Sequence, residues 1–569
     1  MTLKFTTKSC VIATLQQLHF KAELILNLVA LSLTGFAIDT RLLTSKSAHA
    51  LAVQSPNLPV VQKNSTAESI CPAQLGTAIE AVINRPQFRR ARWGILVEPL
   101  SAKISDRALY NLNGDRYFIP ASNTKLLTTA AALLALGSDY RIRTSIYDAG
   151  EGVLRVVGRG DPSFTNAQLK DLAQQLRRQG IRTIKKLILE DSYLQGDVVN
   201  PTWEWEDIQF DYGTSVNSLI LNQNAVELTL SPQQPGQPLR VSWSDAIASR
   251  QWKIENESMT AEARTPNSVS VTAVLGRPVL RLKGQLPIDG NPETFDMAIL
   301  DPANNFLQHF RNTLALEGIT VQQASVISTV TTNQEQELAA VESPPLALLV
   351  FETNQESNNL YAEVLLRTLQ VSAQQLPLSE VLHPSQSAFH GAGRMPTPQE
   401  KFLIVGWVPR LSSPMLKNLS ITSFNRNSAD IGLQQLKATL TTLGVDPESY
   451  IIVDGSGLSR HNLVSPKAIA QTLQLMAKTP QAKVYRDSLP VAGISGTLRN
   501  RFRNTMAQGN IQAKTGSMTG VSALSGYLDV PGYQPLVLSI MVNQSEQSLT
   551  TLRQGIDEIV LLLTRLRSC

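Results

Sequence analysis

The chain has 569 residues, 43% of them hydrophobic, and a formal net charge of +5. At roughly 150 residues per domain there is room for about three or four domains, each able to bury a core without metals or staples. Basic residues are interspersed with acids instead of gathered in a run, which argues against a nucleic-acid face and for a mixed solvated surface. A small basic excess also suits an anionic polymer.

The first 50 residues read as a targeting segment: Lys4, Lys8 and Lys21, an apolar stretch from Leu24 to Ile38, then a small-x-small site at Ala48-His49-Ala50. Cleavage after Ala50 is the first reading, and a retained membrane anchor or a buried helix are the alternatives. Glu23, Arg41 and Lys46 make the fit imperfect. No later stretch is long and apolar enough to span a bilayer. Residues 51–69 are polar, carry two prolines and read as a linker. A helix is expected over Cys71–Asn84, strands over Arg92–Pro99 and Arg107–Asn113, and a long helix over Ser122–Leu136 closed by Gly137.

From 139 to 340 short strands dominate, separated by turn residues, with helical texture only at Asn166–Gln179 and Pro302–Glu317. This is a mostly β insert, expected as two small domains. Helical texture returns at Leu346–Leu369. Residues 372–424, rich in Pro, Ser and Gln, read as a long surface excursion. Then come helix Ala429–Leu443, strand Tyr450–Val453, helix Pro466–Thr479, strands Gln512–Thr515, Ala523–Asp529 and Leu536–Asn543, and a last helix, Leu549–Arg567. Helices at both ends with strands beside each point to one α+β domain, 70–138 plus 341–569, split by the insert.

Three motifs carry chemistry. Ser122-Asn123-Thr124-Lys125 is the chain's only Ser-x-x-Lys, where roughly two chance matches are expected. Residues three apart on a helix share a face, so the hydroxyl and the amine meet. A desolvated lysine near another cation loses its proton readily and becomes a base. The competing reading is an N-cap serine beside a solvated lysine. Lys514-Thr515-Gly516 lies on a strand, followed by Ser517. A lysine beside a hydroxyl can hold a carboxylate, and Gly516 leaves room for an extended peptide. The N–H groups of Ser517 and Ser122 could form an oxyanion hole. The alternative is a surface hairpin turn. Ser357-Asn358-Asn359 adds a hydroxyl and an amide before a helix, though Ser-x-Asn alone is mostly a cap signal.

The order Ser-x-x-Lys, Ser-x-Asn, Lys-Thr-Gly is that of penicillin-binding proteins and serine β-lactamases. From about residue 70 to the C-terminus the sequence resembles the low-molecular-mass class C penicillin-binding proteins, the D-Ala-D-Ala carboxypeptidase/endopeptidases of peptidase family S13. Further matches are Gly160-Asp161-Pro162, Tyr212-Gly213, Leu221–Asn224, Asp301-Pro302, SNNLYAEVLLRTL from Ser357, DGSGLSR from Asp454 and GISGTL from Gly493. The long span between Ser122 and Ser357 suits this family. Ser-Asn-Asn in place of Ser-Asp-Asn, Gln355 in place of lysine and Ser517 in place of threonine depart from it.

The resemblance implies a split sheet-and-helix catalytic domain. It implies Ser122 as nucleophile, Lys125 as base, Ser357 as proton relay, Asn359 as amide holder, and Lys514, Thr515, Gly516 and Ser517 as the substrate edge. By the same likeness Asp161 and Arg460 recognise a diaminopimelate side chain; from the residues alone they are a turn starter and an ion-pair partner. Partners are peptidoglycan stem peptides and β-lactam inhibitors, with no nucleic acid, no metal and no cofactor. Membrane contact is confined to an uncleaved anchor, and the location is the periplasm or cell envelope. Rival readings are a β-lactamase or esterase of the same fold, or a catalytically silent wall-binding protein. No Ser-His-Asp pattern is visible. Of Cys10, Cys71 and Cys569, signal cleavage removes the first. Because the first and last helices pack together in the fold resembled, a Cys71–Cys569 disulfide is expected, with two free thiols as the alternative.

Overall fold

The computed structural model of the protein describes residues 69–101, 108–330, 335–374 and 427–569. The expected targeting segment, the linker up to 68 and almost all of the 372–424 excursion lie outside the described residues. Five elements frame the half that holds Ser122 and Lys514: helices α1 (Pro72–Ile83), α2 (Thr124–Leu136), α3 (Asn359–Thr368) and α4 (Leu549–Leu563), and a five-stranded antiparallel sheet. Its strands are β1 (Arg92–Pro99), β2 (Tyr110–Leu112), β3 (Ile511–Met518), β4 (Val521–Leu528) and β5 (Leu536–Asn543), in the spatial order β3-β4-β5-β1-β2.

Side-chain alternation along β1 divides two cores. Ile95 and Val97 face one side, where Leu75 and Ile79 of α1 and Ile556 and Ile559 of α4 pack with Leu538 and Ile540. Leu96 faces the other side, into a cluster with Phe118, Leu126 and Leu127 of α2, Leu365 of α3 and Met541. β4 and β5 are buried along their whole length, as expected of central strands covered on both faces. Thus two strands near residues 92–112 and three near 511–543 make one sheet, which brings Ser122 and Lys514 together across the sequence. A disulfide joins Cys71, just before α1, to Cys569, with a Cα–Cα distance of 5.8 Å. The two ends are also paired by backbone hydrogen bonds between Ile70 and Arg565 and Arg567.

Between the two parts of this sheet the chain builds two further cores. In one, a mixed five-stranded sheet is ordered Thr320–Ile327, Thr183–Glu190, Val153–Val157, Arg143–Asp148, Gln336–Glu342. Helices Asn166–Arg178 and Pro302–Leu316 cover it, with Phe164, Phe306 and Phe310 in its core. The other is all β, with Leu228, Leu230, Leu280, Leu282 and Trp252 at its centre. Loops from the first region, at Asn200–Trp203 and Tyr212–Gln223, reach back to the half that holds Ser122 and bond to Val453, Asp454, Asn358 and Asn359.

Candidate active site

Ser122 does not open the long helix as the sequence suggested. It sits in a 3-10 turn, Ala121–Asn123, and α2 starts at Thr124. Ala121 has φ of 47°, a left-handed conformation that is strained for a residue with a Cβ. Gly457 faces it so closely that a Cβ there would lie 2.0 Å from the Ala121 carbonyl oxygen. The turn is therefore clamped from outside, and it leaves Ser122 partly exposed while Asn123, Thr124 and Lys125 are buried.

Lys125 Nζ lies 3.0 Å from Ser122 Oγ, 2.6 Å from Asn359 Oδ1 and 2.7 Å from the Ser456 carbonyl oxygen. Asn359 Nδ2 donates to the Tyr212 carbonyl, which turns its Oδ1 toward the lysine. Two of the three lysine contacts are pure acceptors and take N–H groups. A neutral amine has two N–H groups and one lone pair, so the lone pair is left facing the Ser122 hydroxyl. Burial pushes the Lys125 pKa down to about 7, while Asp454 and Glu363 resist that fall. Near neutrality a large share of Lys125 is the free amine that this hydrogen-bond pattern accommodates.

Lys514 and Ser357 form a second set. Lys514 Nζ donates to Ser357 Oγ at 2.8 Å and to the Thr515 carbonyl at 3.0 Å. Burial, and then the nearby Lys125 cation, hold Lys514 well below the ordinary lysine value. Ser357 has φ of 62°, and the next residue, Asn358, caps α3 by accepting the Tyr361 N–H. The strained serine thus stands just ahead of a capped helix whose first residue is Asn359.

The Lys-Thr-Gly strand is longer than its sequence signal and forms the sheet edge. Ala513 N–H donates to the Pro490 carbonyl and Ala492 N–H to the Ile511 carbonyl, so odd-numbered residues of β3 point their backbone groups away from β4. By the same alternation the N–H groups of Thr515 and Ser517 face outward, where an extended peptide or an oxyanion could meet them. Gly516 must lack a side chain: a Cβ there would lie 2.7 Å from the Pro120 carbonyl oxygen.

Three features were not read from the sequence. Glu363, fully buried on α3, accepts the N–H groups of Gly455 and Ser456 at 2.9 and 2.8 Å. It thereby fixes the carbonyl that holds Lys125. Four-residue spacing from Asn359 was the available signal, since both then share a helix face. Asp454 braces the same loop by accepting from Gly457, Ser459, Asn462 and Trp203. Thr515 Oγ1 bonds to Thr497 Oγ1 at 2.8 Å, and Ser517 Oγ accepts from Arg553 at 3.1 Å.

Asp161 is buried, accepts from the Ser163 N–H and hydroxyl, and is pushed up to about 6 by burial. Burial raises the pKa of the Tyr361 phenol on α3, and Glu352 and then Asp161 add to that rise. Arg460 is half-buried; its Nε donates to Glu204 at 3.0 Å and another nitrogen donates to the Thr519 carbonyl, one residue beyond β3.

Residues 75–382 and 414–565 match the D-Ala-D-Ala carboxypeptidase 3 (S13) family. The chain belongs to that family. It is a serine-type carboxypeptidase, a hydrolase, and its α+β fold is the one the resemblance implied. Among similar proteins is a D-alanyl-D-alanine carboxypeptidase of Actinomadura sp. (strain R39), 29% identical over 494 residues, 83% of this chain and 81% of that one. A penicillin-sensitive carboxypeptidase A of Dictyostelium discoideum is 27% identical over 514 residues, 83% and 87% of the two chains. Penicillin binding protein 4 of Haemophilus influenzae has the same fold, with a TM-score of 0.66 at 22% identity over 85% of this chain and 98% of that one.

Proposed function

We propose that the protein cleaves the bond between two D-alanines, or a D-configured cross-link, in peptidoglycan peptides through an acyl-enzyme on Ser122. The carrying observation is the Lys125 amine, which is buried, bonded to two fixed acceptors and 3.0 Å from the Ser122 hydroxyl. Ser122 Oγ attacks the carbonyl carbon as Lys125 Nζ takes its proton. The oxyanion is held by the N–H groups of Ser122 and Ser517. The C–N bond then breaks, the leaving amine receives a proton through Ser357, and the terminal D-alanine departs. Asn359 holds the acyl-side amide and orients Lys125, while Lys514 and Thr515 bind the terminal carboxylate. Water attacks the ester and restores Ser122. A β-lactam enters as a mimic of the dipeptide and acylates the same oxygen.

Asp161 and Arg460 recognise the amino and carboxyl ends of a diaminopimelate side chain. The half-exposed guanidinium of Arg460, held beside the end of β3, and the buried carboxyl of Asp161 near α3 support that assignment. The enzyme acts in the periplasm or cell envelope, where its substrate lies; the Cys71–Cys569 bond suits an oxidising compartment. No helix of the described residues is long and apolar enough to cross a membrane. Intact-mass and peptide mass spectrometry after benzylpenicillin treatment tests the central claim. One penicilloyl group on Ser122, absent from Ser122→Ala, is the expected result, and an adduct on another serine refutes it.

A further inference from the structure

Between the two cores of the inserted region lies a cavity of about 660 Å³, the size of a small-molecule pocket. One wall comes from the all-β part, through Arg250. The other is helix Pro302–Leu316 and the start of strand Thr320–Ile327, through Gln308, Arg311, Asn312 and Thr320. None of the lining residues is acidic, and two are arginines.

The walls are fixed against each other. Gln251 exchanges two hydrogen bonds with the backbone of Asp301, the residue that caps the helix. Trp252 Nε1 donates to the Ala298 carbonyl at 3.0 Å. Arg250 lies in the 3-10 turn Ala248–Gln251, beside both contacts. Arg250 and Arg311 therefore line one cavity before any ligand arrives, so little ordering remains to be done on binding.

The neighbouring acceptors are occupied. Asp245 accepts the Ile247 and Ala248 N–H groups through Oδ1, and its Oδ2 lies 3.3 Å from His309 Nε2. Glu317 is bonded to Arg177 and Gln174. The last helix carbonyls, those of Thr313, Leu314 and Ala315, accept from Glu317, Ile319 and Gly318. Among the described residues neither the Arg250 nor the Arg311 guanidinium has a hydrogen-bond or ion-pair partner, and both side chains are exposed. Two like charges on one cavity repel, and an anion between them relieves the repulsion.

Resting on the peptidoglycan reading above, we infer that this cleft is a second binding site, apart from Ser122, for free stem-peptide carboxylates on the polymer. Each guanidinium offers a planar fork to a carboxylate. The Gln308 and Asn312 amides and the Thr320 hydroxyl suit the amides and hydroxyls of a glycopeptide. A chain anchored here raises the effective concentration of its other stems at Ser122. A short peptide has no second stem and gains nothing from the cleft.

The test is isothermal titration of a soluble, uncross-linked peptidoglycan chain into the full protein carrying Ser122→Ala, which leaves the chain uncut. Adding Arg250→Gln and Arg311→Gln is expected to weaken binding about tenfold, a few-fold for each exposed charge contact, and to flatten its salt dependence. Arg250→Lys with Arg311→Lys should keep most of the affinity. Unchanged affinity in the glutamine pair overturns the inference. A poly(glycerol phosphate) chain that binds tighter than the peptidoglycan chain overturns the choice of ligand. With Ser122 intact, the glutamine pair should lose kcat/KM on the polymer and keep it on a short acyl-D-Ala-D-Ala peptide; equal losses on both also overturn the site. Benzylpenicillin acylation of wild-type Ser122 separates the two levels. Acylation with unchanged titrations overturns only the cleft, whereas no acylation with the tenfold difference present overturns only the acyl-transfer reading.

Discussion

If Lys125 is the base that takes the Ser122 proton, the acylation rate must follow the fraction of Lys125 present as free amine. With a pKa of about 7 that fraction is about nine-tenths at pH 8, half at pH 7 and roughly one-hundredth at pH 5. The second-order rate of acylation should therefore fall about ninetyfold between pH 8 and pH 5, with a limiting slope of about tenfold per pH unit. A solvated lysine near 10.5 would behave otherwise: the rate would still climb tenfold per unit at pH 9. The same proton sets a stability trend. The unfolded chain binds one more proton than the fold between about 7 and 10.5, so this group makes stability rise with pH across that window. Below about 7 its full penalty is present. Burial is the largest influence on the lysine, and Asp454 and Glu363 are the charged groups that oppose it. Stopped-flow acylation by a fluorescent penicillin from pH 5 to pH 10, with Ser122→Ala as blank, makes the measurement. A rate flat from pH 5 to pH 8, or an unbroken rise past pH 9, would refute a buried free-amine base.

Glu363 offers a second handle on the same limb. Glu363→Gln keeps an acceptor for the Gly455 and Ser456 N–H groups but removes a carboxyl that burial pushes up to about 7 and whose ionised form favours protonated Lys125, so the limb should move to lower pH at and above neutrality. Glu363→Ala frees the Ser456 carbonyl as well and should slow the plateau rate roughly ten- to a hundredfold. Limbs that coincide with wild type in both variants would reduce Glu363 to a packing residue. At the substrate's side chain, Asp161→Asn should depress turnover of a diaminopimelate-containing peptide more than that of a simple acetylated one. Equal losses in paired kcat/KM assays would remove Asp161 from recognition.

The sequence determined the local chemistry. Ser122 and Lys125 are three apart where a 3-10 turn runs into α2, and at that spacing helical geometry puts them on one face. Lys514, Thr515, Gly516 and Ser517 alternate along a strand, and β periodicity alone separates the lysine from the two hydroxyls. The elements in chain order, with helices and strands at both ends and a strand-rich stretch between, already pointed to a split α+β domain. Local signals were weaker at boundaries. Ser122 was read as the start of the helix, but the close approach of Gly457 holds Ala121 in a left-handed turn and delays the helix to Thr124.

Only the tertiary structure decided what surrounds the lysine. The Ser456 carbonyl reaches Nζ from 331 residues away, and Glu363 and Asp454 set that carbonyl from two different segments. Burial, the largest influence on the Lys125 proton, exists only once α2, α3 and the 454–457 loop have packed together. Arg553 gave no signal because its meaning comes from α4 lying across the sheet beside Ser517, 36 residues earlier in the chain. A sequence specifies which donors and acceptors are available within a turn or a strand. Which distant groups share one low-dielectric pocket, and so fix its charge, is settled only when the sheet closes around them.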